Sequence, residues 1–494
     1  MSVTGARVRR ACAGLGVVAL LVATQACTGS EPSDAPRTAV DVGEPDKALT
    51  VVADETPGAR ALSVSRLLYD RADVVVLTPA DRSAEVADVV REHGVPLLEA
   101  TAPGLDDELD RLGTESVVVI GDAGPAQGLG VDVVTAATPA DVDRELEDLL
   151  AASGPAEPGE GVVVLSRDPV ADSLALATAG EAEVVTVPSG DPRTDPAVVE
   201  RLRSLGDRPT IVLGPDWPDP AYTLGVARDG DELPGGGHTI FPGRHVVALY
   251  GSPDLPALGV LGEQDPAGAV ARTQQAVDQY VPISDRPVVG AFEIIATIAD
   301  ADIGADGDYS REVPVETLRP WVDAAGDAGM YVILDLQPGR TDFLTQAKLY
   351  TDLLLEPHVG LALDPEWRLG PDQVHLRQIG SVTGAEADAV AAWLAELTRE
   401  HDLPQKMFVL HQFASSMITN REVVRTDRPE LQVVVHVDGQ GTPGGKAGTW
   451  NLLRQGADPG LAWGWKNFYD EDVPMLTPEQ TWGVAPRPDL VTYQ

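Results

Sequence analysis

The sequence predicts an α/β protein: duplicated α/β units followed by a C-terminal (β/α)8 TIM-barrel domain. Three observations predict it. Short apolar runs alternate with helical stretches along most of the chain, as in parallel sheets covered by helices. The runs between residues 48 and 220 fall into two similar sets. Beyond residue 245, eight runs follow one another over about 250 residues, the count and size of a closed barrel. An open doubly wound sheet is the alternative arrangement of the same runs.

The 494 residues are 43% hydrophobic, which is globular rather than disordered, and carry a formal net charge of −41. That charge argues against nucleic acid and anionic lipid headgroups as direct partners. The chain opens with Arg7, Arg9 and Arg10, then an uncharged, mostly apolar stretch over residues 11–26. This is the layout of an export signal and too short for a membrane span. It ends at Ala26-Cys27, and the other cysteine, Cys12, lies inside the signal. The junction resembles the lipobox of bacterial lipoproteins. The resemblance implies that residues 1–26 are removed, that Cys27 is lipidated, and that the protein is held on the extracytoplasmic face of the cell membrane. A plain secreted protein is the alternative. Residues 27–47 are rich in Pro, Ser, Asp and Glu and read as a flexible tether.

Residues 48–220 hold two matching sets. The first has strand runs at 74–77, 96–99 and 117–121, with helical stretches at 83–93 and 105–112. The second has strand runs at 162–165, 183–187 and 210–214, with helices near 170–179 and 197–205. No Gly-rich phosphate loop follows any of these strands, so no catalytic constellation is expected here. The pattern, each set ending in an apolar strand followed by Gly, resembles the type 2 cell wall-binding repeats of Gram-positive surface proteins. The resemblance implies attachment to wall polymers; a scaffold or docking region is the alternative.

Residues 221–244, rich in Gly, Pro and Asp, read as a linker. The barrel domain then occupies 245–494. Its strands are expected at 246–251, 288–297, 331–337, 359–366, 407–413, 431–438, 460–465 and 490–493, with helices at 267–280, 315–328, 342–355 and 385–401. In such a barrel the site lies at the C-terminal ends of the strands. Polar and aromatic residues collect there: Tyr250, Glu293, Asp335, Gln337, Asp364, Glu366, His411, His436, Asp438, Trp463, Trp465, Lys466 and Tyr493. Aromatics among carboxylates suit a sugar, which offers an apolar face and many hydroxyls.

The fourth run, V-G-L-A-L-D-P-E-W, ends in two acids. Read as a strand, Asp364 and Glu366 share one face with Cα atoms roughly 6.5 Å apart. Such a pair can keep one acid protonated and the other ionised, which glycosidic chemistry requires. This D-x-E resembles that of family 18 chitinases and family 25 lysozymes. The resemblance implies Glu366 as general acid and Asp364 as its support, with an acetamido-assisted mechanism. Glu293, Asp335 or Asp438 are further choices for the second carboxylate, and Trp463 and Trp465 are expected to line sugar subsites. Divalent-metal chemistry through Asp364, Glu366, His411, His436 and Asp438 is the competing reading, but strand one lacks a His-x-His, and no cofactor or metal is expected. The functional expectation is a lipid-anchored envelope glycoside hydrolase acting on a wall or surface polysaccharide. The alternative is a non-catalytic wall- or glycan-binding lipoprotein.

Overall fold

The computed structural model describes residues 38–122, 124–151 and 161–494. The signal (1–26) and the lipidation position Cys27 lie outside the described residues. Among the described residues, no helix is long and apolar enough to cross a membrane. The end of the expected tether is ordered: Val40–Val42 pairs antiparallel with Tyr69–Ala72.

Strand β1 (Leu49–Val52) leads into helix α1 (Pro57–Leu68). Thr56 caps that helix by accepting from Ala59 N, and Pro57 occupies a first-turn position where no donor is needed. Strands β2 (Val74–Thr78), β3 (Leu97–Glu99), β4 (Ser116–Ile120) and β5 (Asp132–Ala136) form a parallel sheet in the order β3-β2-β4-β5. Helices α2 (Ser83–His93), α3 (Leu105–Leu112) and α4 (Pro139–Leu150) join or follow them. A second parallel sheet is built from β6 (Val163–Ser166), β7 (Glu183–Thr186) and β8 (Thr210–Leu213), with α5 (Ser173–Thr178) and α6 (Pro196–Leu205). Its order is β1-β8-β6-β7. The halves are therefore not self-contained: β1, which precedes the first sheet, completes the second. One core is shared between the sheets, with Val76, Val118, Val164 and Ile211 packed around α1, α2 and α5. Alternate residues of the second sheet, Val163, Leu165 and Val212, face a separate cluster with Leu202 and Trp217.

The stretch expected as a linker instead opens with helix α7 (Pro220–Asp229), capped by Asp219. The helix docks on the barrel, where Tyr222 OH donates to Leu403 O at 2.8 Å. Nearby, Arg193 Nη2 donates to Pro429 O at 2.8 Å. Residues 38–494 form one compact unit.

The barrel is closed. Its strands are β9 (His245–Gly251), β10 (Val288–Ala299), β11 (Tyr331–Leu336), β12 (Val359–Leu363), β13 (Lys406–His411), β14 (Leu431–Val437), β15 (Ala462–Asn467) and β16 (Leu490–Tyr493). Each pairs in parallel with the next, and β16 returns to β9 with Val246 opposite Leu490. Helices α8 (Pro266–Tyr280), α9 (Val315–Asp327), α10 (Phe343–Leu349), α11 (Thr351–Leu354), α12 (Gly384–Glu400), α13 (Pro443–Arg454) and α14 (Pro478–Trp482) surround it. The β13–β14 connection holds two short 3-10 turns in place of a helix. Strand alternation sorts the side chains: Val247, Leu249, Leu361 and Leu363 pack outward against helices, while Val246, Ala248, Ile333, Ala362 and Val409 fill the lower interior. Leu233, Ile240 and Phe241, from the segment before β9, join that interior cluster. Burying each such side chain contributes roughly 1.5–3 kcal/mol. The floor is thus apolar, and the polar residues are confined to the upper layer.

Candidate active site

One layer above the apolar floor, every strand except one delivers a polar side chain inward. Tyr250 (β9), Glu293 (β10), Asp335 (β11), His411 (β13), His436 (β14), Lys466 (β15) and Thr492 (β16) are all buried. The eighth contribution, Asp364, sits just past β12 and is also buried. The register explains the layer: Tyr250 pairs with Glu293, and His411 with His436.

His411 is the hub. Its Nε2 lies 2.8 Å from Glu293 Oε1 and its Nδ1 2.9 Å from Asp438 Oδ2. Ionised carboxylates only accept, so both ring nitrogens donate and the ring is an imidazolium. Burial acts to lower its pKa, but the charges of Glu293 and Asp335 and the bonds to Asp438 and Glu293 hold it well above the ordinary value. Glu293 also accepts from Thr492 Oγ1 at 2.9 Å. Burial acts to raise Glu293, yet the imidazoles of His436 and His411 and the Lys466 ammonium hold it at about 2. His436 is itself pushed to about 3 by burial, so at neutral pH the cations that act are His411 and Lys466. Asp438 is held below its usual range despite burial, chiefly by the His411 bond.

The opposite wall behaves differently. Burial and the nearby Glu366, Asp335 and Asp438 charges push Asp364 well above the carboxylate range. Burial, then Asp438, raises half-buried Glu366 to about 7. Asp335 rises to about 6 through burial, although His411 pulls against it, and accepts from Tyr250 OH at 2.7 Å. Gln337 Nε2 donates to Tyr250 OH at 3.3 Å, while its Oε1 accepts from Ala299 N. Lys466 Nζ lies 3.5 Å from the Tyr250 ring centroid, a cation–π contact.

The sequence reading needs three corrections. Strand β12 stops at Leu363, and Pro365–Trp367 forms a 3-10 turn. The Asp364–Glu366 pair is therefore not set by strand alternation; proline removes a ladder donor and turns the chain at the rim. Trp463 and Trp465 do not line the mouth. They point outward and pack on Trp450 of α13, with ring centroids 5.9 and 5.6 Å away. The inward positions of β15 are Gly464 and Lys466, since alternation forbids both sets from facing the same way. By the same parity Tyr493 points outward, its hydroxyl 2.6 Å from Tyr280 OH, and Thr492 is the inward residue.

A half-buried aromatic group that the sequence did not flag stands at this end of the barrel. Trp367, beside Glu366, packs edge-on to His375 at 5.3 Å, and Tyr309 meets His375 at 6.1 Å. Arg340 lies over Tyr309. These residues come from loops after β10, β11 and β12. Their neighbours are stitched by Arg340 N to Asp308 O and Leu369 N to Gly339 O.

No protein-family model matches the chain, and no curated protein matches it. Among solved structures, Cwp6 from Clostridium difficile is similar at a TM-score of 0.19 and 14% sequence identity, over 75% of this chain and 63% of that one. The chain thus spans less than two thirds of that protein's length. A likeness at that score does not carry fold or function across. The closed eight-stranded barrel and its polar layer stand on their own geometry.

Glu293, His411 and His436 place ligand atoms within 4.8 Å of one another, close enough for one metal ion. Glu293 and His411, however, already bond to each other and to Thr492 and Asp438. These bonds engage both His411 nitrogens, while His436 Nε2 is buried and unbonded.

Proposed function

We propose that the barrel is a glycoside hydrolase acting on a wall or surface polysaccharide, with Glu366 as general acid and Asp438 as the ionised carboxylate opposite it. One observation carries the reading. Carboxylates gathered at one barrel mouth are driven apart in pKa: Glu366 is raised to about 7 while Asp438 is lowered. Environments that separate two acids in this way assign the proton donor and the base. Glu366 would give its proton to the glycosidic oxygen as the C–O bond breaks, and the leaving unit departs as an alcohol. Asp438, held ionised by His411, would take a proton from the attacking water or attack the sugar itself. Glu293, which His411 bonds on its other side, fixes the imidazolium and is a positioning residue. Asp364 would support the charge that develops on the sugar ring. The rim aromatics Trp367 and Tyr309 offer the stacking surface that Trp463 and Trp465 do not.

The cellular setting belongs to the same proposal and rests on sequence: lipid attachment at Cys27 on the extracytoplasmic face, and wall attachment through the two N-terminal sheets as a duplicated repeat region. The test is reducing-sugar release from wall and capsular glycans by the soluble chain lacking residues 1–27, beside Glu366→Gln. Release by the parent alone supports the reading. No release by either, with both folded and binding glycan equally, makes the barrel a binding module.

A further inference from the structure

Three carboxylate oxygens at the mouth are buried and hydrogen-bonded to nothing: Asp335 Oδ1, Asp364 Oδ1 and Asp438 Oδ1. His436 Nε2 is buried and unbonded beside them. The parent residues are at most 6% exposed. Buried acceptors without donors cost free energy, so several in one place mark a ligand that brings donors.

The charges around them define that ligand further. His411 is fully engaged by Glu293 and Asp438, and Lys466 lies on the Tyr250 ring. No lysine or arginine bonds to Asp364, whose charged neighbours are the carboxylates Glu366, Asp335 and Asp438 and the His411 imidazolium, whose own N–H groups are spent on Glu293 and Asp438. We propose that the sugar unit seated at this mouth carries a free amino group, so that the substrate is a de-N-acetylated amino-sugar polymer. An ammonium supplies three N–H donors and a positive charge in direct contact with Asp364. An N-acetyl group would cap that nitrogen and set a methyl among carboxylates, and a uronic acid would add an anion to an acidic wall. With the ammonium in place Asp364 ionises, which prepares it to face the charge developing on the sugar. A single metal ion fits less well. The group that converges within one ion's reach is Glu293, His411 and His436, and none of the three open carboxylate oxygens belongs to it.

This inference rests on the glycosidase reading, and the experiment separates the two. Oligomers of glucosamine and of galactosamine are compared with their N-acetylated counterparts and with uncharged glucose oligomers, for calorimetric binding and for cleavage, at pH 6 with chelator present. The amino forms are expected to bind at least tenfold more tightly and to be cut, and Asp364→Asn is expected to erase the preference. Equal or tighter binding of the N-acetylated forms, with cleavage, overturns the amino-group inference and leaves the glycosidase reading intact. Tight binding of the amino forms without cleavage of any oligomer upholds the seat and overturns the catalysis. Binding that appears only when a divalent cation replaces the chelator, or no binding at all, overturns the inference. Should Asp364→Asn fail to fold, the acetylated-versus-free comparison on the parent chain still decides.

Discussion

The two halves of this molecule use parallel strands in opposite ways. In the N-terminal sheets the central strands are apolar but for one Ser or Thr at an end of each. The buried charges there sit in small local ion clusters, such as Arg60 Nε 2.9 Å from Asp172 Oδ1 and Glu108 between Arg66 and Arg111. Arg60 thereby ties α1 to Asp172 at the start of α5, and Arg66 ties α1 to α3. In the barrel the strands are apolar below and polar above, and the buried charges form one connected layer with atoms left open. Buried charge closed into local ion pairs holds structure; buried carboxylates with several unmet acceptors at one mouth point to a ligand.

The comparison can be broken most directly at Glu366. Replacing it with Gln should lower turnover by a factor of about 10²–10⁴ with unchanged melting temperature, measured by sugar release and thermal unfolding. A variant that melts like the parent and turns over like it would remove the catalytic half of the contrast. His411→Ala strands Glu293 and Asp438 as unpaired buried charges. It should cost about 3–5 kcal/mol of stability and activity as well. Arg60→Ala in the N-terminal half should cost stability through the same physics while leaving turnover per folded molecule unchanged. Denaturant titration with active-site normalisation separates the two.

Trp465→Ala empties the cluster around Trp450, for about 3–5 kcal/mol, without weakening glycan binding. Trp367→Ala should do the reverse, leaving the melting temperature nearly unchanged and weakening oligosaccharide affinity by about tenfold. The smallest lever is pH. Glu366 acts in its protonated form, so the rate should fall about tenfold per unit as pH rises through about 7. Its raised pKa means that its contribution to stability is most favourable below the ordinary carboxylate range and declines as pH rises towards 7. Glu293 has the opposite sign: its stabilisation is present above the ordinary range and is lost as pH falls towards about 2. Stability measured from pH 2 to 8 reads both trends.

The barrel was legible because each of its strands is an apolar run bounded by turn residues, and every run lies within a few residues of the strand observed. Parity was harder. In β15 the large residues, Trp463 and Trp465, drew the eye, but their alternates Gly464 and Lys466 face the interior. In β16 the tyrosine outshone Thr492 in the same way. Size predicts burial, but only alternation counted from a fixed interior residue predicts which side. Asp364 and Glu366 were legible as a pair, while the turn that Pro365 imposes was not drawn from it. Tyr309 lies on the loop after β10 and Trp367 and His375 on the loop after β12, and no local pattern announces that they meet. Helix α7 did carry its signal, Asp219 before Pro220, beneath a composition that suggested a connection.

The strand β1 has a further bearing on how the molecule comes into being. It is made early, yet its hydrogen-bonding partner β8 begins only at Thr210. Likewise β9 finds its closing partner only when Leu490 is available. The open N-terminal sheet and the closed barrel are both completed by segments distant in sequence, and long-range parallel pairing is slow. A growing chain therefore holds two open sheet edges until its later parts appear. Pairing of β1 and closure of the barrel are expected among the slower steps of folding.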